Sequence, residues 1–204
     1  MRAVLGFLTG LLPIVLVPGL TAAADAQGNF AMKGTGRLSC EVFLEERESK
    51  SKLYWNVGGW IDGYITGHNV QAEGTFDAVP FVPLDTADAM VVLLARHCQA
   101  NPGDPIGLVI KAMVDEMRPV HLQEQSEVVE VEVKGQSYRL YRQMIGDMQR
   151  TLADLGHYDG AIDNAFGPNT RAALESFQAK QGLNATGRPT ADTLLRILFI
   201  QNSE

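Results

Sequence analysis

The apolar positions of this chain recur with helical spacing along most of its length, and one stretch alternates instead. Val42 and Phe43, with Glu46 beside them, predict a first helix over 39–47. Tyr54, Trp60, Ile61, Tyr64 and Ile65 give packing bulk to a second over 52–68. Met90, Leu93, Leu94 and His97 share a face of a third over 87–100, with Asp85 or Thr86 able to cap it. A proline-rich loop, 79–83, precedes that helix, and Asn101-Pro102-Gly103-Asp104-Pro105 breaks it. A fourth amphipathic helix then runs over 106–117 until Pro119 stops it. Val129, Val131 and Val133 alternate with Glu130 and Glu132, which is strand periodicity. Lys134-Gly135 suits a turn, with Tyr138 and Leu140 on a return strand.

Helical spacing resumes with Met144, Met148, Leu152 and Leu155, and Gly156 fits the residue just past a helix end. Ile162 and Phe166 are the expected apolar anchors of the loop that follows. Pro168 suits the first position of the next helix, with Ala173, Leu174 and Phe177 inward and Gly182 at its end. Thr190 can cap a last helix carrying Leu194, Leu195 and Leu198. The expected fold is mainly α: a helical domain over 36–120, a β-like linker or hairpin over 121–141, and a three-helix domain over 142–200. Gly59, Gly63 and Gly67 recur every four residues and line one helix face. Each weakens a helix by about 1 kcal/mol relative to alanine, so three together predict a neighbouring element that comes in close.

The first residues change the picture of where this fold works. Arg2, the apolar run from Val4 to Val17 and the small residues of Ala24-Asp25-Ala26 follow the order of a secretory signal. The run is interrupted by Pro13, is followed at once by Pro18 and is shorter than the roughly 20 residues a membrane span needs. Residues 1–26 therefore read as a signal peptide cleaved after Ala26, with 27–35 as a flexible tail. The mature chain is then expected in the periplasm, without a membrane partner. A net charge of −7 argues against nucleic acid, whose phosphates call for a basic face.

Cys40 and Cys98 are the only two cysteines, and in an oxidising compartment an even pair reads as a disulfide. The rival reading is a catalytic thiol beside His97, but neighbouring helical residues point about 100° apart. The four histidines, His68, His97, His121 and His157, show no metal-binding spacing, and no G-x-S-x-G elbow is present. Glu41, Glu45, Glu46 and Glu48 read as a solvated helix face beside Arg47 and Lys50. The expectation is no catalytic residue, no metal and no cofactor.

The run from Met148 to Leu198 carries a resemblance. Gln149, Leu152, Leu155, Gly156, Tyr158, Gly160, Asp163, Phe166, Gly167, Thr170, Ala173, Phe177, Gln178, Gly182, Leu183 and Gly187 follow the pattern of the peptidoglycan-binding domain 1 family. Asn164 departs from it, standing where the family usually has glycine. The resemblance implies a three-helix fold and cell-wall binding, with peptidoglycan as partner. Tyr158, Asn164, Arg171 and Gln178 are the candidate contacts, since guanidinium suits peptide carboxylates and a tyrosine face suits a sugar or peptide. Asp163 and Thr170 belong to the same candidate set, with closure of local backbone hydrogen bonds as their simpler role.

The N-terminal helices resemble small periplasmic families more faintly. Cys40-Glu41-Val42-Phe43 and the later Cys98 near Asn101-Pro102 are similar to the HdeA-type acid-stress chaperones. Gly63-Tyr64-Ile65-x-Gly67 is similar to an element of the Rap1a-type immunity proteins. These resemblances imply a stapled helical domain that binds a protein partner and performs no chemistry. An acid-stress holdase and an unrecognised wall hydrolase are the alternatives.

Overall fold

Helix caps explain where the first elements begin and end. In the computed structural model, which describes residues 25, 27, 29–81 and 86–201, α1 spans Cys40–Ser49. The Ser39 hydroxyl accepts from the Val42 N–H at 3.4 Å, satisfying one of the donors a helix start leaves free. Lys50 adopts a left-handed φ of 50°, and Ser51 caps α2 (Lys52–Gln71) by accepting from the Tyr54 N–H at 3.1 Å. Two residues thus turn the chain from one helix into the next. The signal peptide expected over 1–26, apart from Asp25, together with Pro83, Asp85 and the side chains of Thr86 and Leu198, lies outside the described residues.

α3 (Thr86–Ala100) and α4 (Ile106–Glu116) complete the N-terminal helices. Cys40 and Cys98 are bonded in a disulfide that joins the start of α1 to the end of α3, and both are fully buried. The backbone reinforces the same corner. Cys40 N–H donates to the Asp104 carbonyl at 2.8 Å, Glu41 N–H to that of Pro102 at 2.9 Å, and Ile106 N–H to that of Leu38 at 2.9 Å. Phe43, Ile61, Met90, Leu94, Ile106 and Ile110 fill the space between, all fully buried.

The glycine stripe on α2 departs from expectation. A β-carbon placed on Gly59, Gly63 or Gly67 would meet nothing within 4 Å. The helix buries Val57, Ile61 and Ile65 instead. Gly59 and Gly63 each lie two residues, about 200°, beyond one of these, so they point away from the core. The close approach occurs elsewhere on α2. Trp60 covers the 3-10 turn Gly34–Arg37, its ring occupying the space a side chain at Gly36 would need. Its indole N–H donates to the Lys33 carbonyl at 2.8 Å.

The alternating stretch forms an antiparallel hairpin, β1 (Val128–Val133) and β2 (Gln136–Tyr141), with Val133 opposite Gln136. Lys134 and Gly135 both have positive φ, 52° and 74°, as a two-residue turn matched to strand twist requires. Three α-helices follow: α5 (Arg142–Asp154), α6 (Pro168–Lys180) and α7 (Ala191–Gln201). α5 and α6 end in glycines with positive φ, Gly156 and Gly182. His157 N–H then closes onto the Leu152 carbonyl and Leu183 N–H onto that of Gln178, both at 2.8 Å, which is the Schellman pattern.

From Lys33 onward these elements form one compact unit, with buried side chains continuous from Cys40 to Ile197. The hairpin is packed into it. Tyr141 OH donates to Asp77 Oδ2 at 2.9 Å, and Lys134 pairs with Glu175 at 2.9 Å. Arg96 of α3 grips Asp192 of α7 through its two terminal guanidinium nitrogens, each at 2.8 Å.

Candidate functional site

Two buried glutamines organise the last three helices, one for each interhelical loop. Gln149, on α5, has no exposed surface, although Met148 and Leu152 flank it in an apolar stripe. Its amide nitrogen lies 2.8 Å from Asp163 Oδ1, 3.0 Å from both the Ala165 carbonyl and Thr170 Oγ1, and 3.3 Å from Tyr158 OH. Its carbonyl accepts from the Asn164 N–H at 3.0 Å. A side chain planted on one helix thus gathers the whole loop that leads to the next.

Gln178, on α6, does the same for the second loop and is 1% exposed. It donates to the Arg188 carbonyl at 2.9 Å and to Thr193 Oγ1 at 3.0 Å. It accepts from the Thr186 N–H at 2.9 Å and the Gly187 N–H at 2.8 Å. An amide side chain has two donor hydrogens and an oxygen with two lone pairs, and all are used.

The candidate residues drawn from sequence fall around these hubs. Thr170 is buried and also donates to the Ala165 carbonyl at 3.1 Å. Tyr158 is 9% exposed, and its hydroxyl donates to the Ala161 carbonyl at 2.7 Å over Gly160, where any side chain would strike the phenol. Asp163 is at the surface and accepts from the Ala165 N–H at 2.9 Å. The Gln149 amide beside it, with that N–H, holds its carboxyl below the usual range. Arg171 is exposed on α6, its stem covering Gly187. The polar atoms of Gln178 and Thr170 therefore face inward, while Arg171 and the Asp163 carboxylate face water.

Asn164 shows how the chain tolerates its departure from the family pattern. It takes a left-handed φ of 58°, and its side chain occupies the place where a β-carbon at Gly146 would be. Glycine on α5 thus makes room for asparagine in the loop. Ile162 is a correction: it is 40% exposed, so the loop is anchored by Gln149 and by the partly buried Phe166. The hub role of Gln149 was missed by sequence reasoning, although a lone amide inside an apolar stripe is the signal that marks it.

The rival catalytic pair is separated by its own bonds. Cys98 is spent in the disulfide, and the His97 ring nitrogen Nε2 lies 2.8 Å from Asp104 Oδ2. Among the described residues no cluster of three or more His, Cys, Asp or Glu could hold a metal, and no helix is long and apolar enough to cross a membrane.

The last three helices, with these two hubs, thus form a loop-pinned helical unit that follows four helices held by a disulfide. Residues 142–197 match the family described as "Putative peptidoglycan binding domain". The chain is similar over 63 residues, at 38% identity, to the "N-acetylmuramoyl-L-alanine amidase CwlM" of Mycobacterium tuberculosis. It is similar over 53 residues, at 42% identity, to the "Localization factor PodJL" of Caulobacter vibrioides. The matches cover 31% and 26% of this chain but only 16% and 5% of those proteins. No solved structure matches. Peptidoglycan is the ligand by which that family is described.

Proposed function

We propose that this protein is exported and held at the cell wall by residues 142–197, with its stapled helices serving as a platform for a protein partner. The family match to the C-terminal module carries the reading. The disulfide accords with an oxidising compartment outside the cytoplasm. The exposed side of α2 supports the platform: Trp55 is 63% and Val70 80% exposed, with Gly59 and Gly63 open between them. Three helix-weakening glycines that pack against nothing among the described residues leave a smooth surface for something outside the chain. In this reading the protein binds wall without cutting it.

Three measurements test these parts. The mature protein recovered from a periplasmic fraction should begin at Gln27; retention in the cytoplasm contradicts export. Prolonged incubation with sacculi should release no muropeptides, whereas any new soluble fragment makes it a hydrolase. Trp55→Asp should abolish capture of a periplasmic protein while leaving wall binding intact; unchanged capture removes α2 as the platform.

A further inference from the structure

We infer that the module reads the peptide stem of peptidoglycan, and that it does so in a groove completed by the hairpin with Arg188 as the carboxylate receptor. The inference rests on the wall-binding reading above and adds the ligand's chemical class and the place where it binds. The groove, of about 580 Å³, runs between β2, the loop Leu183–Thr190 and the start of α7. Ser137 and Tyr138 line one wall, and Asn184, Thr186 and Arg188 line the other.

Arg188 is set apart from the other cations at this groove's rim. Its Nη2 reaches the Lys134 carbonyl at 3.4 Å, while its Nε is buried without a hydrogen-bond partner among the described residues. A carboxylate is the group that pairs with a guanidinium fork, and the Arg188 side chain is partly exposed where it lines the groove. Two of the nearby acids are already paired. Asp192 is gripped by Arg96 and Glu175 is paired with Lys134, so the groove keeps an attractive charge for an incoming anion.

The rest of the lining separates peptide from sugar. Sugar rings are commonly held against open aromatic faces, and Phe81 in this groove is 1% exposed. Tyr138 is half-buried, with its hydroxyl bonded to Gln136 Oε1 at 2.8 Å, and is the aromatic surface this groove offers. Against these stand small apolar surfaces, Ala89, Val92, Pro189 and Ala191, beside hydroxyl and amide groups. Small apolar surfaces, hydrogen-bonding groups and the guanidinium of Arg188, beside that of Arg139, suit a short peptide of alanines and free carboxylates. Arg188 lies outside the set of residues that sequence reasoning singled out, and β2 lies outside residues 142–197, so the family pattern alone does not place this groove.

The test uses the full chain and two soluble probes, the free stem tetrapeptide and the peptide-free disaccharide, followed by NMR and calorimetry. The tetrapeptide should bind and shift the resonances of Ser137, Thr186 and Arg188, and the disaccharide should not. Arg188→Ala should weaken tetrapeptide binding by about tenfold or more, the scale of one lost charge-assisted pair. Because Arg188 also contacts the hairpin turn, Ser137→Trp gives an independent check by filling the groove from an exposed strand position. It too should abolish binding while the circular dichroism spectrum is unchanged. Tetrapeptide binding that survives both substitutions overturns the inference, as does disaccharide binding at these residues. If the protein pellets with sacculi but ignores the tetrapeptide, the groove assignment falls and wall binding stands. If it binds neither, both fall.

Discussion

The N-terminal helices and the C-terminal module solve the same problem, holding loops between short helices, by different chemistry. Among the first four helices a covalent bond ties α1 to α3, and the loop 101–105 supplies carbonyls to the start of α1. In the module the loops are held by two buried amides, Gln149 and Gln178, each reaching off a helix. A disulfide constrains two points and leaves the outer helix faces free to vary, as the open glycines of α2 show. A buried amide fixes loop backbone group by group, so it demands particular residues at particular spacings. That contrast explains why the module carries a dense sequence pattern and the stapled helices carry almost none.

The largest effect should come from removing the staple. Replacing Cys40 and Cys98 by serine releases a loop of 58 residues and should cost about 4 kcal/mol on the chain-entropy estimate. Urea unfolding reads the loss, and stability within 1 kcal/mol of the native protein would mean that packing alone holds these helices.

Next come the hubs. Gln178→Leu strands the Thr186 and Gly187 N–H groups, which are bonded to its oxygen. A loss of roughly 2–4 kcal/mol is expected, since each buried unpaired group costs about 1–3 kcal/mol. Hydrogen exchange should show those two amides losing protection first. Slow exchange at both would show that the loop holds itself. Gln149→Leu should act in the same way on the Asn164 N–H.

A smaller effect is expected where hairpin and helices meet. Tyr141→Phe removes a donor from the buried Asp77 carboxylate and should cost about 1.5–3 kcal/mol near neutral pH. Burial, with the Asp77 charge beside it, raises the Tyr141 phenol above its ordinary value of 10.0. A raised folded-state value contributes stability in full below pH 10, and the contribution is lost as pH climbs beyond it. The native protein should therefore weaken above pH 10, and the phenylalanine variant should weaken less. Parallel pH profiles for the two would exclude this contact as the source.

The smallest change should be a gain. Gly59→Ala and Gly63→Ala meet empty space and should each stabilise α2 by about 0.5–1 kcal/mol, read as a rise in melting temperature. A fall would mean that these positions are packed after all.

Much of this architecture was legible in the chain. The 3.6-residue spacing placed the helices, and Val129, Val131 and Val133 marked the strand. Cys40 and Cys98 announced their bond, and Gly156, Pro168 and Gly182 marked helix ends. What escaped depends on direction rather than periodicity. The glycine stripe had the right spacing, but only the burial of Val57, Ile61 and Ile65 decides which way it faces. Ile162 reads as an anchor until Gln149 is seen taking that role. Arg188 could not be noticed from sequence because its setting is made by a hairpin turn some fifty residues earlier, where it meets the Lys134 carbonyl.

Wall attachment through the module is tested most directly by co-sedimentation of the full mature protein with purified sacculi, beside the Gln178→Leu variant. Pelleting of the native protein, lost when the second loop is unpinned while the disulfide-held helices stay folded, is the result expected. A native protein that remains in the supernatant, or a variant that pellets equally well, would contradict attachment through residues 142–197.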